Sequence, residues 1–434
     1  MNRRRRLLLL SGAVGAGGVE VWLAYRTSGP GGILERRYGL LALIGAWAGA
    51  YAVALVCVLR LPVRWAVTTV MVLSVVLRLA AIAPKAPLSD DLYRYAWDGV
   101  VQTHGIDPYR YPPIATELRK LHDPWLWPPQ LHRHGGTQIN RANVRTIYPP
   151  VAEAWFTVEH LIVPLSARDR GYEAVGLLLD LAVLAVLLAL LRDRRWIALY
   201  ALAPLPVLEA VQNAHVDVLA ALLSLGALTL AERRRSTAAV VLLALATLTK
   251  IYPAVLLPLL LRHRGRRVRD ASVFAAVCIA AYLPHVLAVG LRIAGYLPGY
   301  LREENYSSGT RYLLVGLAGL HGTTASLVVA LLLAALGLWA LRTELPLRVA
   351  AVRLMAGVLL LITPVQPWYA LLALALAAAA QAWWAVPITL APYPLFFTVV
   401  LEGPSQLVGR LAYGVALVLA GIGFALSRGR VGSG

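Results

Sequence analysis

Residues 237–261 read TAAVVLLALATLTKIYPAVLLPLLL, and the fold turns on how this stretch meets a membrane. Arg233, Arg234 and Arg235 precede it, and the strongly basic run 262–269 follows. Positive residues favour the cytoplasmic side of a bilayer, so both ends belong inside. Going out and back as two full spans takes about 40 apolar residues. Only 25 are present, so the stretch reads as two short helices broken at Lys250–Pro253. Irregular backbone at membrane depth is tolerated only where protein or a wet cavity satisfies the freed polar groups.

The rest of the chain agrees with a membrane setting. Of its 434 residues 59% are hydrophobic and only 15% charged, with a mean hydropathy of +0.67. A soluble domain averages about 25% charged residues and could not bury so much apolar surface. Tandem soluble domains, a DNA-binding module and a secreted disulfide scaffold are excluded. Cys57 and Cys278 each sit inside an apolar run, far apart, which gives neither a disulfide framework nor a cysteine metal site. The net charge of +19 lies largely between apolar runs. It reads as cytoplasmic loops against anionic lipid, with no nucleic-acid partner.

Arg3 to Arg6 precede a first membrane helix at 7–25, and no convincing cleavage site marks that segment as a removed leader. Apolar runs at 38–59 and 65–83 follow, so three crossings place residue 84 outside. Residues 84–150 hold ten of the 26 prolines and six acidic residues, too much for a connector, and read as a folded external loop. The segment 151–165 is apolar but short, carries Glu153, Glu159 and His160, and reads as an interfacial helix. A helix at 173–191 then runs inward to Arg192, Arg194 and Arg195, and 196–231 forms a hairpin with its tip at Glu209–Asp217. Helix 270–289 leads to a second external loop, 290–311, and helices are expected near 324–341, 349–362, 367–381, 384–401 and 408–426. The expectation is an all-α, polytopic bundle of about fourteen membrane segments. It divides at 1–83, 84–172, 173–311 and 312–434.

Several polar clusters stand out. Asp90 and Asp91 open the external loop at the end of a membrane helix, where paired carboxylates are costly unless they bind a cation or take a proton. On a helix Asp91, Arg94 and Asp98 share a face, with Tyr93 and Trp97 beside them. The plainer reading of the pair is a helix cap with interfacial aromatic anchors. Tyr109, in the rigid turn 105–113, and Tyr148, in 146–150, read first as structural. Glu209, Asn213 and Asp217 are spaced four apart around His215, and they line one face if the helix runs through. A hydrogen-bond cluster that only holds helices together competes evenly with a substrate role there. Lys250, next to Tyr252 and Pro253, has no carboxylate near it in sequence, so a lipid phosphate is its natural partner ahead of snorkelling. His122, His132 and His134 are a weak metal signal, and Trp368 reads as part of an aromatic belt or a lipid contact.

Taken in order, these pieces resemble the GT-C superfamily of polyprenyl-phosphate-sugar-dependent glycosyltransferases. The likeness is nearest to the bacterial branch that uses polyprenol-phosphomannose in actinobacterial envelopes. It is carried by Asp90 and Asp91, the Gly105…Pro108-Tyr109 and Tyr148-Pro149-Pro150 turns, Glu209…His215-Val216-Asp217, Lys250 before Pro253, and Pro367-Trp368-Tyr369. The resemblance implies a GT-C-like helix bundle with a large first external loop. It also implies a multi-pass protein of the cell membrane, with an extracytoplasmic active site and an acidic residue at the loop start as catalytic base, here Asp90 or Asp91. Mannose as the sugar is implied by it alone. The Asp-x-Asp or Glu-x-Asp pattern of many members has no clear equivalent, so no metal or other cofactor is indicated.

The residue chemistry fits such an enzyme. A lipid-phosphate sugar brings its own leaving group. What it needs is a carboxylate for the acceptor's proton and cations for the departing phosphate. Lys250 and Arg311 are the candidates for phosphate. The substrate-facing candidates are Tyr93, Arg94, Trp97, Asp98, Tyr109, Tyr148, Glu209, Asn213, His215, Asp217, Tyr252 and Trp368. A direct displacement inverts the anomeric centre. The expected partners are a polyprenyl-phosphate sugar, a glycan or glycolipid acceptor and the lipid bilayer. A secondary transporter or lipid-linked-sugar carrier is the competing class, because broken helices and intramembrane charges suit it too. No inverted repeat supports that class, and a pure scaffold leaves the intramembrane charges without purpose.

Overall fold

A computed structural model describes residues 1–28, 33–83, 88–131, 136–400 and 406–429. Every regular element among them is helical. Among the described residues seven helices are long and apolar enough to cross a membrane, or eight if the bent pair Pro206–Gln212 and Asp217–Glu232 is one span. That is fewer than the fourteen or so segments the hydropathy suggests. The difference lies in apolar runs that the chain cuts into short pieces. Ser236–Thr249 has 14 residues and Leu347–Ile362 has 16. Pro387, Pro392 and Pro394 divide the expected 384–401 helix into single turns. The expected second loop is largely helical: Arg267–Val289 continues through a 3₁₀ turn, Gly290–Ala294, into Leu297–Glu303.

Helices α1 (Arg3–Thr27), α2 (Ile33–Arg60) and α3 (Val63–Ile82) pack together at one side. Their outer faces leave Leu8, Trp22, Val53 and Val72 exposed, as lipid-facing helices do. Glu20 interrupts the apolar run of α1 and turns inward, where it accepts a hydrogen bond from Trp47 Nε1 at 3.2 Å. Arg78 ties this unit to the core. Its guanidinium donates to Asp180 Oδ2 at 2.5 Å, to Ser74 Oγ at 2.6 Å and to the carbonyl of Ala201 at 2.9 Å. Asp180 belongs to α6 (Asp169–Leu190), so one buried cation joins three elements.

The segment between α3 and α6 folds on itself. Helix α4 (Asp91–Thr103) packs on α5 (Pro150–Ile162) around Tyr95, Trp97, Leu126, Ile139 and Phe156. Gly99 allows this approach, since a Cβ there would lie 2.4 Å from the carbonyl oxygen of Phe156. With 13 residues α5 is too short to span a bilayer.

The hairpin tip departs from a through-running helix. Pro206–Gln212 is a π-helix, with the Asn213 N–H bonded to the Leu208 carbonyl at 2.8 Å. The chain then bends by 111° into Asp217–Glu232. Ala214, at the corner, is held at φ +50°, a left-handed conformation that costs a non-glycine residue about 1 kcal/mol. Glu209 and Asp217 therefore do not share a helix face. Beneath the corner Leu371–Ala379 runs through the middle of the bundle with all nine residues buried, the pattern of a helix enclosed on every side.

The π-turn rests on α6 at Gly176, where a Cβ would stand 2.3 Å from the Ala210 carbonyl oxygen. Gly176→Ala should therefore destabilise the protein by about 1–3 kcal/mol. Gly18→Ala, on a lipid-facing position with nothing within 4 Å, should leave stability unchanged or slightly raised. Thermal unfolding of the purified variants in one detergent tests this, and equal midpoints would disprove the close packing.

Candidate active site

A cavity of about 990 Å³ opens where α4, the broken stretch at Lys250 and the Leu297–Glu303 helix meet. Its polar lining includes Asp90, Asp91, Asn140, Tyr148 and Lys250. Its apolar lining includes Leu333, Met355, Val358, Leu359 and Ile362 from two helices of the bundle.

The polar lining begins with the acidic pair. Asp90 is the residue before α4, yet its side chain makes no capping bond, so capping does not explain it. Asn140 donates to both carboxylates, at 2.8 Å to Asp90 and 2.6 Å to Asp91. Asp91 is the more embedded: its side chain is 15% exposed, and its second oxygen accepts from the Tyr148 hydroxyl at 3.3 Å. The same oxygen lies 3.6 Å from His215 Nδ1. His215 is wholly buried, stacks on Trp368 with ring centroids 3.9 Å apart, and places Nε2 3.4 Å from Glu209. Glu209 in turn accepts from Asn213 at 3.0 Å and from the Tyr393 hydroxyl at 2.7 Å. The Asn213 side-chain oxygen takes the backbone N–H of Leu88 at 2.9 Å, which docks the start of the unit between α3 and α6 on the hairpin corner.

Lys250 is not the unpaired ammonium that its sequence neighbours suggest. Its Nζ lies 3.2 Å from Asp217 Oδ2, a residue 33 positions earlier that the bend delivers to it. It also sits over the rings of Tyr148, at 4.8 Å, and Tyr369, at 5.5 Å. Arg311 likewise already has a partner, Glu304 at 3.0 Å, and Gln366 holds the other oxygen of Glu304 at 2.7 Å. Any anion entering the cavity meets these cations as members of pairs.

The other expected site residues divide. Tyr93, Arg94, Tyr252 and Trp368 line the cavity. Trp368 is no belt residue, being buried against His215. Arg94 is bound to Asp98 at 2.9 Å, in a pair buried within the unit between α3 and α6. Beside them burial, and then the Asp98 charge, pushes the Glu153 carboxyl well above its ordinary range, and it accepts from Thr146 at 2.6 Å. Asp98 and Trp97 do not reach the cavity; Trp97 packs against Trp127 and His122. Tyr109 stands behind the wall and donates to the Tyr148 carbonyl at 2.6 Å. Glu209, Asn213, His215 and Asp217 form a buried layer behind Asp91 and Lys250 and do not line the space itself. His132 and His134 lie outside the described residues, and His122 is stacked on Trp127. No group of three or more metal-ligating side chains gathers among the described residues. Asn140 and Tyr393 were not legible, because neither carries a local pattern. Glu303 and Glu304 carry no sequence signal beyond being charges within 290–311.

The fold and cavity define a polytopic membrane protein with a carboxylate-bearing, amphiphilic site. Residues 146–364, just over half of the chain, match glycosyltransferase family 87. The chain belongs to that family, a group of GT-C-like membrane glycosyltransferases, and is therefore a glycosyltransferase. No curated protein and no solved structure matches it. The matched span contains Tyr148, His215, Asp217 and Lys250 but begins after Asp90 and Asp91. Family membership displaces the transporter and scaffold readings.

The Lys250–Asp217 pair gives a test. Lys250→Ala strands a buried carboxylate and should lower stability by about 3–5 kcal/mol. The double variant Lys250→Met, Asp217→Leu should recover most of that loss while remaining inactive. Unfolding midpoints and transfer rates for both variants check it, and a stable Lys250→Ala protein would disprove the pairing.

Proposed function

We propose that this glycosyltransferase moves a sugar from a polyprenyl-phosphate donor to a glycan or glycolipid acceptor, with inversion. We place the reaction at the extracytoplasmic face of the cell membrane. The observation that carries the reading is the amphiphilic cavity: a carboxylate and an ammonium flank Tyr148, and two bundle helices add an aliphatic lining. A lipid-phosphate sugar has the matching polarity, its isoprenoid fitting the apolar lining and its phosphate and sugar the polar lining. Mannose is the first candidate sugar, on the resemblance described above. The proposed route uses no metal.

In this mechanism Asp91 is the base. It takes the acceptor hydroxyl proton while the acceptor oxygen attacks the anomeric carbon from the face opposite the phosphate. The carbon–oxygen bond to phosphate breaks, and the phosphate leaves with its electron pair. Negative charge grows on the phosphate as that bond lengthens, and Lys250, which lines the cavity, is the cation assigned to stabilise it. His215 and Glu209, behind Asp91, supply a polar path that stabilises the protonated base.

Asp91 is chosen over Asp90 because Tyr148 and His215 address it directly. Asp91→Asn should lower transfer by at least about 100-fold, and Asp90→Asn by no more than about tenfold. The assay is purified enzyme in nanodiscs with synthetic short-chain polyprenyl-phosphate mannose, following both lipid binding and sugar transfer. Near wild-type transfer in Asp91→Asn would sink the base assignment. Binding and transfer of a nucleotide sugar, with none from the lipid phosphate, would sink the donor class.

A further inference from the structure

Asn140 stands 50 positions from Asp90 in sequence, yet its amide bridges the acidic pair. Each of its two N–H bonds serves one carboxylate, at 2.8 and 2.6 Å. With Tyr148 on the opposite oxygen, this fixes the plane of the Asp91 carboxylate from both sides. Two neighbouring carboxylates would otherwise repel and turn apart.

The next residue explains how Asn140 is held there. Arg141 adopts φ +47°, a left-handed backbone that glycine takes easily and arginine does not. Its guanidinium clasps Glu303 at 2.6 and 3.3 Å, and the Tyr296 hydroxyl completes Glu303 at 2.7 Å. The Arg141 and Glu303 side chains are 42% and 43% exposed, and ion pairs so exposed contribute little to stability. A strained backbone held by a weak exposed pair is poor design for stability but does set a direction. A second contact lies nearby: Gly295, at φ +52°, sits so close to the Thr146 carbonyl that a Cβ would stand 1.8 Å from its oxygen. The strap 295–303 is thus seated on the unit between α3 and α6 at two points, and Asn140, Arg141, Tyr296 and Glu303 all face the cavity.

We propose that Asn140 is a positioning residue for the Asp90–Asp91 pair, and that the Arg141–Glu303 clasp sets it in place when the strap is docked. The strap thereby completes the reactive site built by the unit between α3 and α6. The inference rests on the reading of Asp91 as the base.

The test measures kcat and donor KM for wild type, Asn140→Ala, Arg141→Gly and the double variant, with synthetic short-chain polyprenyl-phosphate mannose in nanodiscs, beside their unfolding midpoints. Asn140→Ala should lower kcat by roughly 10- to 100-fold with donor KM unchanged. Arg141→Gly permits the left-handed angle without the guanidinium, so it should keep or raise the unfolding midpoint while lowering kcat. The double variant should be no slower than Asn140→Ala alone, because both changes act through one amide. Asn140→Asp, alike in shape but with no protons to donate, should fold and lose at least as much kcat. Wild-type kcat in Asn140→Ala, a loss confined to KM or stability, or multiplicative losses in the double variant would each overturn the proposal. If Asp91→Asn is inactive in the same assay while Asn140→Ala is normal, this inference alone fails. An active Asp91→Asn removes the base reading beneath it.

Discussion

The buried contact between Lys250 and Asp217 is the constraint from which the site takes its shape. Each residue stands at an interruption of a membrane-depth helix, one at the bend after the π-turn and one after Thr249. A charge at such a depth is costly alone, and the cost is met when the two breaks face each other. The pairing therefore fixes how two chain corners meet. The wall of the cavity follows, because Tyr148 and Tyr369 close over the ammonium and His215 is brought behind Asp91. The central helix Leu371–Ala379 supplies a dry surface against which these corners are held.

The division of labour around the cavity is physical. The unit between α3 and α6 contributes acid and hydrogen-bond donors from a compact aromatic core of its own. The bundle contributes cations already matched to carboxylates and an aliphatic lining. Prepaired cations hold a fixed geometry when the site is empty and can share an arriving anion without reorganising, which favours electrostatic stabilisation of charge that develops late.

Much of this was readable from residue patterns because the bilayer penalises alternatives so strongly. The membrane class and the break at Lys250–Pro253 follow from polar groups stranded in apolar sequence, and the same signal singles out Asp91, His215 and Asp217 as candidates. The partner of Lys250 was not readable. Sequence proximity offered no carboxylate, and only the 111° bend brings Asp217 to it. The same bend defeats the expectation that Glu209 and Asp217 share a face. Hydropathy counts apolar residues without registering where the chain cuts them into short helices, so about fourteen apolar segments correspond to seven or eight helices long enough to span among the described residues. Asn140 lay in a stretch with no periodic signal, so only three-dimensional contact reveals it.

The π-turn at Pro206–Gln212 has a consequence of a different sort. A π-turn is a helical turn carrying one residue more than its hydrogen bonds need. Each residue of an α-helix advances the side-chain direction by roughly 100°. The alignment of Glu209 with His215 across the corner thus depends on how many residues lie between Pro206 and Asp217 as much as on which residues they are. Substitutions along this segment change single contacts, whereas loss of one residue re-aims every side chain beyond it while leaving the composition almost untouched. Chain length is here a coordinate of the active site.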